Sequence, residues 1–172
     1  MRNALSCIGS SFPYSSWQQS LSRSTKKIVE ALIATFPLLL GGLIYLAFRP
    51  DYLVMFTWVD TIGLSQPIAW LREYADMYRH MVPDMVIYVF PNGLWLLSYC
   101  LLVSLVWSGQ SKSSAIGWVM LLTLLGVISE ILQYCEIIRG TFDWADLLVY
   151  VVASVAGLLI IIGRNSEHEH TT

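Results

Sequence analysis

One polar segment, residues 129–146, separates two long apolar runs in the C-terminal half of the sequence. Its candidate functional side chains are carboxylates, an amide and a guanidinium, namely Glu130, Gln133, Arg139, Asp143 and Asp146. Helical residues three apart share a face, so the glutamate lies beside the glutamine and, on the next helix, the two aspartates lie together. Because a carboxylate inside a membrane helix costs about 2.5 to 3.5 kcal/mol, Glu130 is a functional-site candidate.

Two further residues, from an earlier apolar run, join this candidate site. Asp84, Tyr88 and Asn92 are spaced by four and share one helix face. By helix rise, Asn92 lies about 12 Å below Asp84, which is a depth similar to that of Glu130 beneath its own connection. We therefore predict that Asp84 and Asn92 contribute to ligand binding.

In the interpretation that we favour, these side chains bind the headgroup of a lipid or a lipid-linked cell-envelope molecule. Arg139 would bind a phosphate through bidentate hydrogen bonds, and the carboxylates together with Gln133 would bind amines or hydroxyls. The predicted partners are membrane lipids, and binding of this kind requires no cofactor.

Catalysis is one alternative. Glu130 would act as a general base, and Asp143 and Asp146 would hold a divalent cation, which gives a metal-assisted hydrolase or transferase acting on envelope lipids. No histidine completes such a cluster unless His80 reaches it, and neither Ser129 nor any cysteine in the segment has a histidine beside it. Whether the protein is an enzyme stays open at this point.

A purely structural role is another alternative. Asp143 and Asp146 have the spacing of a helix cap, in which carboxylates accept hydrogen bonds from the free N–H groups of the first turn. Glu130 would then pair with Arg139 or Asn92 and only fix helix packing. A transport function would require a homo-oligomer, because four membrane helices form at most a thin pore.

The composition indicates a membrane protein of one domain. The chain has 172 residues, of which 56% are hydrophobic and 13% charged, and its mean hydropathy is +0.60. This is too apolar for an ordinary soluble domain and too short for several domains. The formal net charge is −2 and the ten Lys and Arg residues are scattered. Nucleic acid is therefore excluded as a partner class.

The apolar runs predict an all-α polytopic membrane protein with four transmembrane helices, at residues 28–48, 84–107, 115–135 and 144–163. Residues 49–83 are too polar to cross, and their aromatic and charged residues predict an amphipathic interfacial helix, acting either as a lid or as an anchor. Residues 1–27 form a polar N-terminal arm and residues 164–172 a polar tail.

Small and polar residues form two stripes at helical spacing. The stripe on the third span contains Thr123, Gly126, Glu130 and Gln133, and the stripe on the fourth contains Asp143, Asp146, Tyr150, Ala153 and Gly157. We predict that the two stripes face each other across a tight turn at Gly140, as an antiparallel helix pair.

The distribution of basic residues favours cytoplasmic termini. With the N-terminus inside, six Lys and Arg residues flank the spans on the cytoplasmic side and four on the other. The arm and the tail are then cytoplasmic, and the polar segment lies on the outer face. Together with the long hydrophobic helices, this predicts the inner membrane of a bacterial cell.

The polar segment resembles the hallmark of a known family. Its pattern E-x-x-Q-x(5)-R-x(3)-D-x-x-D and the run YVFPNGL at residues 88–94 are similar to the VanZ-like family of small bacterial membrane proteins. The resemblance covers residues 84–160, and it implies that residues 28–163 form a VanZ-like four-helix membrane domain. On the last helix this chain has Tyr150 and Ala153 where the family commonly has Asn and Gly, and it keeps Gly157.

Overall fold

A computed structural model describes the backbone of residues 14–138 and 140–169 and the side chains of residues 24–138 and 140–164. The described part of the chain consists of helices and turns, which confirms the all-α prediction. A short 3₁₀ turn, Arg79–Met81, lies among seven α-helices: α1 (Tyr14–Phe48), α2 (Val54–Thr61), α3 (Ser65–Tyr78), α4 (Asp84–Tyr88), α5 (Phe90–Val106), α6 (Lys112–Tyr134) and α7 (Trp144–Glu169).

Three of the described helices are long and apolar enough to cross a membrane, and these segments are Ser24–Phe48, Lys112–Tyr134 and Trp144–Arg164. They correspond to the first, third and fourth predicted spans. Helix α1 begins at Tyr14, so it also includes part of the predicted arm, whereas residues 1–13 lie outside the described residues. The backbone of α7 likewise continues as a helix into the predicted tail, to Glu169.

The predicted second span, residues 84–107, is not one helix. It is divided at Val89 into the five-residue α4 and the 17-residue α5. Pro91 explains the division, because proline lacks an N–H group and its ring collides with the carbonyl of the residue four positions earlier. Proline is tolerated in the first turn of a helix, which is where Pro91 lies in α5.

Helix α5 packs between α1 and α7. It runs antiparallel to α1, since Ser98 Oγ donates a hydrogen bond of 2.6 Å to the carbonyl of Ala34, whereas the Arg49 side chain near the end of α1 reaches Tyr88. It runs parallel to α7, where a Cβ atom added at Gly93 would collide with Val149. A second such contact follows further along, between Gly157 of α7 and Cys100 of α5. Small residues thus let these helices approach closely.

Helices α6 and α7 form the predicted antiparallel pair. Thr123 Oγ1 and Ser154 Oγ lie 2.5 Å apart, and a Cβ atom added at Gly126 would lie 3.1 Å from the Tyr150 ring. The stripe on α6 therefore faces α7, as predicted. On α7, however, Gly157 faces α5 instead of α6.

Helix α3 is fastened to the end of α1. Arg72 Nη1 donates hydrogen bonds to the carbonyl oxygens of Leu46, at 3.1 Å, and Arg49, at 2.6 Å. A cation at the C-terminus of a helix satisfies free carbonyl groups and interacts favourably with the helix dipole. Trp70 and Tyr74 are exposed on α3, so the predicted amphipathic helix exists, and its location at the membrane interface stays a prediction.

Candidate functional site

A polar cavity of about 540 Å³ lies where α1 and α6 end and where α5 and α7 begin. We call it the polar cavity. Its lining combines charged, amide, hydroxyl and glycine residues, namely Arg49, Tyr88, Asn92, Ser129, Glu130, Gln133, Gly140, Thr141, Asp143, Asp146 and Tyr150. Five of the predicted site residues are among them, so the structure brings together most of the side chains that the sequence singled out.

Glu130 is buried in the last turns of α6, with only 3% of its surface exposed. Its Oε2 atom accepts a long hydrogen bond of 3.4 Å from the backbone N–H of Asp143. This contact links the end of α6 to the start of α7 across the connection. The glutamate that the sequence placed inside a membrane helix is therefore buried beside the first turn of the next helix.

Asp143 caps α7. Its Oδ1 atom accepts a hydrogen bond of 2.8 Å from the backbone N–H of Ala145, which is the usual contact of an N-cap residue. In a capping box, the residue three positions later would accept from the N–H of the cap residue. Here Glu130 accepts that hydrogen bond, and the carboxylate of Asp146 bonds to another helix. The cap interpretation is confirmed for Asp143.

Asp146 joins α7 to α5. Its Oδ1 atom accepts a hydrogen bond of 3.0 Å from Asn92 Nδ2. Asn92 follows directly after Pro91, where α5 begins, so the helix break brings its amide to the level of the cavity. Asn92 and Glu130 both line this cavity, whereas their depth in the membrane stays a prediction.

Gln133 lies one turn after Glu130 and contacts the connection. Its Nε2 atom is 3.4 Å from Ser129 Oγ, and a Cβ atom added at Gly140 would collide with the Gln133 side chain. Gly140 also has a φ of +151°, which is unfavourable for a residue with a side chain. The glycine therefore lets the connection pass close to the amide.

Arg49 was missed as a site residue. Its guanidinium lies 5.4 Å from the Tyr45 ring centroid and 4.9 Å from that of Tyr88, and Nη2 donates a hydrogen bond of 3.3 Å to the Tyr88 carbonyl. Aromatic faces attract cations, so the two tyrosines hold the guanidinium in place. The available signal was the position of Arg49 directly after the first apolar run, at the same end of the bundle as the polar segment.

Asp84 does not reach the polar cavity. Its side chain is 75% exposed and forms an ion pair of 2.7 Å with Arg79, and this hydrogen bond raises the pKa of the Arg79 guanidinium. The prediction assumed one continuous helix, in which residues eight apart share a face. The break at Val89 removes that relation between α4 and α5. Arg139 lies outside the described residues, so its role with a phosphate stays a prediction.

The geometry gives no support to a metal site. Among the described side chains, those of residues 24–138 and 140–164, no group of three or more His, Cys, Asp and Glu residues is arranged to hold a metal ion. One oxygen of Asp143 is used by the helix cap and one of Asp146 by Asn92. His80 is exposed and does not line the cavity. The divalent cation and the role of Glu130 as a general base stay predictions.

Side chains of opposite charge line the described part of the polar cavity. Arg49 faces the same space as Glu130, Asp143 and Asp146. Within the part of the chain that the structure describes, no ion pair within 4 Å joins the guanidinium to any of these carboxylates. The cavity can therefore offer a cationic and an anionic contact to one ligand at the same time.

Comparison with known proteins identifies no relative. No family model matches the chain, and neither a curated protein nor a solved structure matches it. The resemblance to the VanZ-like family consequently depends on the quoted residues, and the function has to be inferred from the polar cavity and the helices around it.

Proposed function

We propose that this chain is a membrane protein of the VanZ-like type whose polar cavity binds the headgroup of a lipid or a lipid-linked cell-envelope molecule. The observation that carries the proposal is Glu130, which is 3% exposed and lines a cavity of about 540 Å³ at one end of a bundle of apolar helices. Burying an ionisable group among membrane helices is costly, and such groups mark ligand sites and pathways. The volume is in the range of small-molecule sites.

An apolar groove beside the cavity supports a ligand with a hydrocarbon chain. The groove, of about 310 Å³, lies between α5 and α7 and is lined only by apolar residues. It begins at Phe90 and Leu148, level with the hydrogen bond of Asn92, and extends to Leu97 and Ala156. By helix rise this is about 12 Å. A lipid headgroup in the cavity would place one chain beside this groove.

We further propose that α5 crosses the membrane as the fourth span. Its 17 residues correspond to about 26 Å, slightly less than the hydrocarbon core of about 30 Å, and it packs between two helices of spanning length. Basic residues at the end opposite the cavity, among them Lys26, Lys27, Lys112 and Arg164, support cytoplasmic termini. The cavity then faces outward from the inner membrane of a bacterial cell.

Native mass spectrometry of the detergent-solubilised protein with added bacterial polar lipids tests the proposal. We expect Glu130→Gln to lose the bound lipid, because the amide removes the buried charge. Asp84→Asn is the matched control, since this carboxylate is exposed and lies outside the cavity. Equal lipid binding by the wild type and Glu130→Gln would contradict the proposal, as would loss of binding in the control.

A structural role is the second candidate, and two contacts favour it. Glu130 bonds to the backbone of Asp143, and Asn92 bonds to Asp146, so both interactions join helices. Thermal unfolding separates the two functions. If Glu130 only fixes packing, Glu130→Ala lowers the melting temperature and no lipid binds to any variant. If it binds a headgroup, Glu130→Gln loses lipid while keeping the melting temperature, because the amide oxygen still accepts the hydrogen bond.

A further inference from the structure

The polar cavity keeps its positive and negative groups apart by fixing each of them separately. The Arg49 guanidinium is held between the rings of Tyr45 and Tyr88 and by the Tyr88 carbonyl. Asp146 is held by Asn92, and Glu130 is held by the N–H group of Asp143. These contacts keep the side chains in place without an ion pair between them, so the charges are oriented before a ligand arrives.

The Arg49 guanidinium also has unused hydrogen-bonding capacity. Among the described residues only its Nη2 atom donates a hydrogen bond, so the other terminal nitrogen, Nη1, keeps its N–H donors, whereas the Nε atom is buried away from the cavity space. A guanidinium carries five N–H donors, and its planar fork fits a phosphate through two parallel hydrogen bonds. Arg49 is therefore suited to a phosphate.

The carboxylates of the described lining can bind a positive group of the ligand. The described lining contains three carboxylates, Glu130, Asp143 and Asp146, against the single guanidinium of Arg49. A ligand that carried only a phosphate would satisfy Arg49 and leave these three carboxylates without a cationic partner among the described residues, and a partly buried charge without a partner is unfavourable. An ammonium group on the same ligand would satisfy the carboxylates.

We infer that the ligand is a zwitterion that carries a phosphate and an ammonium group, as a phosphoethanolamine headgroup does, with the phosphate at Arg49 and the ammonium near Asp146 and Glu130. This inference rests on the proposed function and narrows its ligand class. The same chemistry occurs in a membrane lipid and in the free headgroup. The apolar groove between α5 and α7 favours the lipid.

Native mass spectrometry with two lipids that differ in the ammonium group tests the inference. Phosphatidylethanolamine carries both charges, whereas phosphatidylglycerol carries the phosphate alone. We expect the wild type to bind phosphatidylethanolamine about tenfold more tightly or better, as charged hydrogen bonds allow. Arg49→Gln should weaken the binding of both lipids, because both have the phosphate. Asp146→Asn should weaken only phosphatidylethanolamine, and its amide oxygen can still accept from Asn92.

Arg79→Gln is the control for the arginine variant, because Arg79 pairs with the exposed Asp84 outside the cavity. Binding of phosphatidylglycerol as tight as that of phosphatidylethanolamine by the wild type would overturn the inference while leaving headgroup binding intact. This comparison needs no variant, so it stands even if Arg49→Gln fails to fold. Binding of neither lipid by the wild type would overturn the inference and leave a lipid-linked cell-envelope molecule as the ligand class of the proposed function.

A soluble headgroup distinguishes the two sources of the zwitterion. Glycerophosphoethanolamine has the same charges and no hydrocarbon chain. If the lipid is the ligand, the soluble compound should compete with bound phosphatidylethanolamine only at much higher concentration. If glycerophosphoethanolamine competes at the same concentration as phosphatidylethanolamine, the ligand is a zwitterion, and it is the free headgroup instead of the lipid. If glycerophosphoethanolamine displaces no lipid at any concentration, the headgroup does not determine binding, and the inference fails.

Discussion

Gly93 allows α5 to approach α7, and a methyl group at this position should force the two helices apart. A Cβ atom added there would collide with Cγ1 of Val149 and lie 3.6 Å from its Cβ. Val149 cannot easily turn aside, because valine on a helix has one strongly preferred χ1 rotamer. We therefore expect Gly93→Ala to separate the helices near the polar cavity.

Two opposing effects determine the size of the change. Replacing glycine by alanine inside a helix stabilises it by about 1 kcal/mol, whereas overpacking a filled interior costs about 1 to 3 kcal/mol. Gly117→Ala in α6 isolates the first effect, because a Cβ atom at Gly117 meets nothing within 4 Å. Gly93→Ala should consequently be less stable than Gly117→Ala by about 1 to 3 kcal/mol, which is the contribution of the collision alone.

Thermal unfolding of the purified protein in detergent measures this difference. Gly93→Ala should also bind lipid more weakly, because Asn92 is the neighbouring residue and bonds across the same helix pair. The double variant Gly93→Ala/Val149→Ala removes the colliding methyl groups and should regain binding. If Gly93→Ala is stabilised as much as Gly117→Ala, the close approach of α5 and α7 does not exist and the geometry of the cavity has to be revised.

Three further predictions concern contacts that join the helices. Asp143→Ala should destabilise the protein by about 1 kcal/mol through loss of the helix cap, and Asp143→Asn by less, because Asn is also a good cap; chemical denaturation measures both. A double-mutant cycle on Asn92→Ala and Asp146→Ala should give a coupling energy of about 0.6 kcal/mol and at most about 1.7 kcal/mol. A coupling of zero would exclude their hydrogen bond. Glu30→Gln and Arg164→Gln should each lower the melting temperature, and the exchanged pair Glu30→Arg/Arg164→Glu should recover most of the loss.

The spanning helices could be predicted from the sequence because their signal is local. Residues 28–48, 115–135 and 144–163 are long and predominantly apolar runs, and α1, α6 and α7 correspond to them. The short connection forces α6 and α7 to lie side by side. It could therefore be predicted that the polar stripe on α6 faces α7. Glu130, Gln133, Asp143 and Asp146 accordingly meet in one cavity, as the spacing predicted.

The remaining features depend on tertiary contacts or on a change of helix axis. Pro91 indicated a kink, but nothing local showed that the helix would divide at Val89 and leave Asp84 outside the cavity. Arg49 meets Tyr88 across 39 residues of sequence, where no helical periodicity relates the two. In the sequence, an arginine at the end of an apolar run is interpreted as an ordinary charge that flanks a membrane helix. Arg49 becomes part of the cavity only because α1 packs against α4 and α5.

Glu30 and Arg164 form an ion pair across 134 residues of sequence, so the first and last spanning helices meet at the end of the bundle opposite the cavity. During synthesis, Glu30 enters the membrane with α1 long before the ribosome has made Arg164. We expect chains that stop before Arg164 to keep an uncompensated carboxylate in their first helix, which membrane segments tolerate poorly. Completion of the last helix would then be the event that distinguishes a finished protein from a fragment, and quality-control proteases could act on that difference.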